Sequence, residues 1–154
     1  MPMIKEGQKA PDFTFTDMNG KSVKLSDLKG QRCIVYFYPK DNTPGCNAEA
    51  CNFRDNYKEL QKQGFYLIGI SPDSETSHEK FRAKFELPFP LVADTEKEII
   101  KSYGAWGLKK FMGREYEGVL RSTFIIEGDG IVEKVISKVK TKESTEQIFK
   151  ELNI

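Results

Sequence analysis

At 154 residues, 38 % hydrophobic and 31 % charged, the chain has the length and composition of a folded domain with a real core, not of a disordered segment. Its 24 basic and 23 acidic residues nearly cancel, so no basic tract marks a nucleic-acid surface or an electrostatic membrane anchor. Three cysteines argue against a disulfide-stapled secreted scaffold, and no apolar stretch approaches the ~20 residues of a membrane span.

The start, Met1-Pro2-Met3-Ile4-Lys5-Glu6, lacks the apolar core of a signal peptide, and a reducing, cytoplasmic location is expected. Phe13-Thr14-Phe15-Thr16 alternates and predicts a short strand. Asn19-Gly20 turns it, and Ser22-Val23-Lys24-Leu25 returns as the second strand of a hairpin. Ser26 to Gly30 reads as one helical turn ending at glycine. The apolar run Cys33-Ile34-Val35-Tyr36-Phe37-Tyr38 predicts a buried strand, stopped by Pro39, which has no N–H for a ladder. A helix follows, because Ala50, Phe53, Tyr57 and Leu60 recur at spacings of three and four. Thr43 fits its N-cap and Pro44 its first position; the helix ends near Gln63-Gly64.

Phe65 to Ser71 is a second buried strand, and strand, helix, strand in succession implies a right-handed parallel crossover. Ser74 to Glu86 predicts a long helix capped by Ser74 or Asp73. Leu91-Val92-Ala93 is a short strand and Glu96 to Tyr103 a short helix. Gly104 to Leu120 shows no clear period; with Trp106, Phe111, Met112 and Tyr116 it reads as a packed irregular loop. Thr123 to Ile126 and Ile131 to Ile136 flank Gly128-Asp129-Gly130, a hairpin signal. A closing helix runs to Leu152 from Thr141 or Ser144. No repeat, linker or low-complexity tract interrupts the chain. Residues 1–154 read as a single α/β domain, a mixed sheet with helices on both faces.

Cys46 falls in the first helical turn, among backbone N–H groups without a partner inside the helix. A thiolate is the nucleophilic form of cysteine, and helix N-termini favour it. Position alone leaves two readings: a small apolar residue between helix and sheet, four before Ala50 on the same stripe, or an activated thiol.

Pro39-x-x-x-Thr43-x-x-Cys46 resembles the active-site signature of the peroxiredoxins, and Glu49 and Arg121-Ser122-Thr123-Phe124 extend the match. Cys51, five residues after Cys46, is similar to the second cysteine of the bacterioferritin comigratory protein group, the Q-type peroxiredoxins. The likeness runs from Ala10-Pro11-Asp12-Phe13 to the last helix. It implies a thioredoxin-like fold with an N-terminal β-hairpin extension. It also implies a peroxidase acting on hydrogen peroxide and organic hydroperoxides, with Cys46 as nucleophile, Cys51 as resolving cysteine and thioredoxin or another dithiol as reductant. Neither metal nor organic cofactor is implied, and a monomer or weak homodimer is expected.

Each further residue has a plain reading beside the implied one. Thr43 caps the helix through a bond to the N–H of Cys46; the resemblance adds a contact to thiolate and peroxide. Pro39 ends the strand; the resemblance places it over the thiolate. Arg121 is a surface arginine unless its strand runs antiparallel to residues 34–38, which brings it beside Cys46. Glu49 suits the helix N-terminus; the resemblance has it orient the arginine. Cys51 cannot bridge Cys46 across a regular helix, since five residues give a Cα separation of roughly 8.7 Å against the 4.4–6.8 Å of disulfides. Cys33 opens the strand on the order of 16 Å from its reactive end and reads as core. His78, among Glu75, Glu79 and Lys80, reads as solvated, and Trp106 as packing. A thioredoxin-type oxidoreductase wants two residues between its cysteines, and four intervene here. A zinc site from Cys33, Cys46, Cys51 and His78 conflicts with the place of Cys33. A retained fold serving as a chaperone or scaffold is the remaining non-enzymatic reading.

Overall fold

The computed structural model describes residues 2–154; Met1, the first residue of the segment read above as lacking a signal peptide's core, lies outside them. Strands β1 (Thr14–Thr16) and β2 (Ser22–Lys24) pair as an antiparallel hairpin. A 3-10 turn at Leu25–Leu28 leads to β3 (Arg32–Phe37). Helices α1 (Pro44–Asp55) and α2 (Tyr57–Lys62) connect β3 to β4 (Phe65–Ser71). Helix α3 (Glu75–Phe85) connects β4 to β5 (Leu91–Ala93), and Ser74 caps it, its hydroxyl accepting the N–H of Ser77 at 3.1 Å. Then come α4 (Glu98–Ser102), β6 (Trp106–Phe111), β7 (Arg114–Val119), β8 (Ser122–Ile126) and β9 (Val132–Ile136). A 3-10 turn at Thr141–Glu143 runs into α5 (Ser144–Leu152).

The central sheet has the order β5-β4-β3-β8-β9. Strands β3, β4 and β5 are parallel, whereas β8 runs antiparallel to β3, and β9 to β8. Strand β3 reads as a continuous apolar run because both its faces are covered. Ile34 and Tyr36 lie on one face with Phe53, Leu60, Phe81 and Ile148 from α1, α2, α3 and α5. Cys33, Val35 and Phe37 lie on the other with Phe15 and Ile100, from the N-terminal hairpin and α4. Among the described residues no helix is long and apolar enough to cross a membrane.

Two expectations are corrected. The helix after Cys46 breaks at Asn56, whose side-chain amide donates to the carbonyl of Asn52 at 2.8 Å. Asparagine side chains compete with the helical ladder in this way. The stretch Gly104 to Leu120 is not an irregular loop. Its core is the β6–β7 hairpin, paired from Trp106↔Val119 to Phe111↔Arg114. Its turn is Met112-Gly113 with φ values of 51° and 79°, the doubly positive pattern of a tight hairpin turn. Methionine in place of Asn or Asp hides that signal. Leu108, Phe111, Met112 and Tyr116 are exposed, so no apolar–polar alternation betrays the strands either.

Candidate active site

The register of the sheet assembles the site. Phe37 at the end of β3 faces Ser122 at the start of β8, so Arg121 stands where the chain leaves β3 for α1. Thr43 has extended backbone at the N-cap, Pro44 opens α1, and the N–H of Asn47 donates to the carbonyl of Thr43 at 2.7 Å. Cys46 is thereby held in the first turn, 2 % exposed, against the core face that carries Tyr36 and Tyr38.

Arg121 Nη2 donates to Cys46 Sγ at 3.2 Å, and its Nη1 donates to Glu49 Oε1 at 2.9 Å. Glu49 Oε2 accepts the hydroxyl of Ser144 at 3.2 Å. A Cβ on Gly45 would stand 3.3 Å from Arg121 Nη2, so glycine leaves the guanidinium room to close on the sulfur. Glu49 is fully buried, and that burial pushes its carboxyl up to about 7 against the pull of Arg121 and Ser144. Burial draws Arg121 down, but the negative charges of Cys46 and Glu49 more than offset it and hold the guanidinium above its ordinary range. The pair favours the charge on Arg121 but does not outweigh burial at Glu49, because the side chain of Arg121 keeps 22 % exposure while that of Glu49 keeps none. Burial and the charge of Arg121 also press Lys109 of β6 below its usual range, while Cys46 pulls it back up.

The arrangement suits one kind of chemistry. A guanidinium on the sulfur favours the thiolate and leaves donors for a second anionic or polarised oxygen. The fork geometry needs the carboxylate where α1 puts it, one turn beyond Cys46.

Cys46, Glu49 and Arg121 thus meet, as expected. Thr43 caps α1 through its backbone, but its hydroxyl makes no capping bond. It donates to the carbonyl of Lys40 at 2.9 Å instead, which corrects the expected bond to the N–H of Cys46. Pro39 is half-buried in the loop between β3 and α1. Cys51 is half-buried on the same uninterrupted helix as Cys46, and both thiols are free. Cys33 is a buried core residue on the opposite face of the sheet, with burial pushing its thiol up to about 12. The cysteines therefore do not converge.

His78 is not solvated. It is 1 % exposed and bonded to Asp41, because it shares the inner stripe of α3 with Phe81. Trp106 is half-buried on the hairpin, with Lys97 Nζ 5.1 Å from its ring centre. Gly45, Lys109 and Ser144 were not expected at the site. Ser144 meets Glu49 across 95 positions of sequence, a contact that no local pattern encodes.

The AhpC/TSA family model matches residues 6–135. The chain belongs to the AhpC/TSA family. It is 45 % identical over 149 residues to peroxiredoxin Bcp of Bacillus subtilis, covering 97 % of this chain and 95 % of that one. It is 43 % identical over 141 residues to peroxiredoxin Bcp of Escherichia coli, covering 92 % and 90 %. Among solved structures it superposes on the bacterioferritin comigratory protein of Xanthomonas campestris with a TM-score of 0.83 at 31 % identity, covering 92 % and 90 %. That structure belongs to a set of trapped-intermediate and ligand complexes bearing on the alkyl peroxide reduction activity of the Xanthomonas protein. The resemblance carried by Pro39, Thr43, Cys46 and Arg121 is borne out at the level of family, and the fold is thioredoxin-like.

Proposed function

We propose that this peroxiredoxin relative reduces hydrogen peroxide and organic hydroperoxides through a Cys46 sulfenic acid and a Cys46–Cys51 disulfide. As a member of the group the chain is a peroxidase, an oxidoreductase. The observation that supports the residue assignment is Arg121 Nη2 at 3.2 Å from Cys46 Sγ, held there by Glu49.

In the proposed cycle the Cys46 thiolate attacks the nearer peroxide oxygen. An S–O bond forms, the O–O bond breaks, and the sulfur is oxidised by two electrons. The leaving hydroxide or alkoxide takes a proton and departs as water or alcohol. Arg121 offsets charge on the oxygens as it moves from sulfur to leaving group. Thr43 has committed its hydroxyl proton to Lys40, so its free lone pairs can only accept, and the O–H of a peroxide is the donor to match them.

Cys51 then attacks the sulfenic sulfur, expelling water and leaving the disulfide. A regular helix keeps the two Cα atoms roughly 8.7 Å apart, beyond disulfide reach. The first turns of α1 must therefore unwind after peroxide attack. A dithiol of the thioredoxin class returns both cysteines to thiols and is itself oxidised. We assign this work to residues 1–154 as one domain, in the cytoplasm, as a monomer or weak homodimer, without metal, organic cofactor, nucleic acid or membrane.

The testing experiment is peroxide consumption with a thioredoxin system, comparing the intact protein with Cys46→Ser and Cys51→Ser. Cys46→Ser is expected to be inactive. Cys51→Ser is expected to form one sulfenic acid per chain and then stall. Turnover by Cys46→Ser at the intact rate overturns the assignment.

A further inference from the structure

Beside the site lies a buried polar cluster that the cycle above does not use. Asp41, Ser71 and His78 are 6 %, 0 % and 1 % exposed. The carboxylate of Asp41 accepts the hydroxyl of Tyr38 at 2.6 Å, the hydroxyl of Ser77 at 2.8 Å, and lies 2.7 Å from His78 Nδ1. The other ring nitrogen, Nε2, lies 3.1 Å from the carbonyl of Val92. A carbonyl can only accept, so Nε2 carries a proton. An ionised carboxylate can only accept, so Nδ1 carries one too. With Asp41 ionised, His78 is an imidazolium and the two charges cancel inside the fold. Burial pushes Asp41 upward, but the bonds from His78, Tyr38 and Ser77 bring it below the ordinary carboxylate range, as such a pair requires.

This pair grips the loop that feeds the reactive helix. Asp41 is central in Pro39–Thr43, and Asn42 beside it adopts the left-handed conformation with φ 56°. The peptide joining Lys40 to Asp41 is held on both sides. Its N–H donates to Asp73 Oδ2 at 2.8 Å, and Asp73 Oδ2 in turn accepts the Ser71 hydroxyl at 2.6 Å. Its carbonyl takes the Thr43 hydroxyl at 2.9 Å. Rotation of this one peptide would release the proton of Thr43 and turn its lone pairs away from an incoming peroxide.

We propose that Asp41 and His78 are positioning residues for the peroxide reaction, fixing the Lys40–Asp41 peptide and through it the Thr43 hydroxyl as acceptor for the peroxide proton. The inference rests on Cys46 being the peroxide-reactive thiol. Neither residue touches the reacting atoms. Their effect reaches the sulfur only through the geometry of the loop.

The test combines a spectrum with single-turnover kinetics. In the reduced, unsubstituted protein at neutral pH, the ¹⁵N resonances of His78 are expected to show both ring nitrogens protonated. A neutral ring, with one bare nitrogen, overturns the charged pair. His78→Phe is expected to slow oxidation of Cys46 by about tenfold or more, and His78→Gln, which can still donate to Asp41, to stay within about threefold of the intact rate. Ser77→Ala, which removes a single bond to Asp41, is expected to slow it less than His78→Phe. Leu87→Ala, a core truncation that removes no hydrogen bond of the cluster, is expected to lower the melting temperature without slowing the reaction. Equal rates for His78→Phe and the intact protein overturn the proposal, as does equal slowing by Leu87→Ala. Should His78→Phe not fold, an unchanged rate in Ser77→Ala has the same force. Failure of the intact protein to oxidise Cys46 at all sinks the prior assignment instead, and the ¹⁵N spectrum still decides whether the pair is charged.

Discussion

Arg121 spans Cys46 and Glu49 with the two terminal nitrogens of one guanidinium, 3.2 Å from the sulfur and 2.9 Å from the carboxylate. The sequence spacing makes this possible. Glu49 follows Cys46 by three residues, so one turn of α1 presents sulfur and carboxylate on the same side. Arg121 precedes the strand next to β3 in the sheet, delivered by the antiparallel pairing of β8 with β3. The planar fork then has little freedom to rotate.

Arg121→Ala is predicted to slow oxidation of Cys46 by roughly 10²–10³-fold, the range seen when one preorganised donor is removed from a reacting oxygen. Arg121→Lys restores charge but not the fork, and is predicted to recover only part of the loss. Stopped-flow oxidation with limiting peroxide measures both. An unchanged rate in Arg121→Ala would show that the guanidinium does not act on the reaction.

Glu49 gives the protein a dependence on pH. Its carboxyl titrates at about 7 in the fold against an ordinary value of 4.5. Between these values the folded chain holds a proton that the unfolded chain lacks. The contribution to stability is thus fully present below about 4.5 and is lost as pH rises to about 7. Activity runs the other way, since protonation weakens the hold on Arg121 as pH falls below about 7. Glu49→Gln is predicted to remove this component from the stability–pH curve, read by denaturant unfolding across the window. Its curve should fall less than that of the intact protein. Superimposable curves would mean that Glu49 does not titrate there.

Unwinding of α1 has a natural boundary. Just past Cys51, Asn52 accepts the N–H of Thr145 at 2.8 Å and donates to Lys142 at 3.0 Å and to Glu146 at 2.9 Å. After oxidation, amide exchange is predicted to accelerate over residues 46–51 while residues 53–55 stay protected. Asn52→Ala is predicted to lower stability by about 1–2 kcal/mol and to let fast exchange spread beyond residue 52. Uniform protection across the helix in an oxidised protein with an intact Cys46–Cys51 bond would contradict the need for unwinding.

Strands β3 and β4 and the start of α1 were legible because their signals are local: apolar runs, a proline stop, a threonine–proline entry. The β6–β7 hairpin was not. Both of its faces carry exposed residues, so burial imposes no alternation, and Met112 occupies the turn position where Asn or Asp would have announced it. His78 was misread because its neighbours on α3 are charged; its place three residues before Phe81 was the available clue. Arg121 could be placed only by assuming the antiparallel pairing that the sheet has. Ser144 and Lys109 reach the site through tertiary packing alone, and no spacing in the chain points to them.

The most direct test of the account is the site of the first oxidation. Reduced Cys51→Ser protein is treated with one equivalent of hydrogen peroxide, trapped with a sulfenic-acid reagent and mapped by peptide mass spectrometry. The account predicts one trapped sulfenic acid per chain, on Cys46, with Cys33 unmodified because its thiol lies on the opposite face of the sheet and is pushed up to about 12. A label on Cys33, or an unlabelled Cys46 with the peroxide consumed, would contradict it.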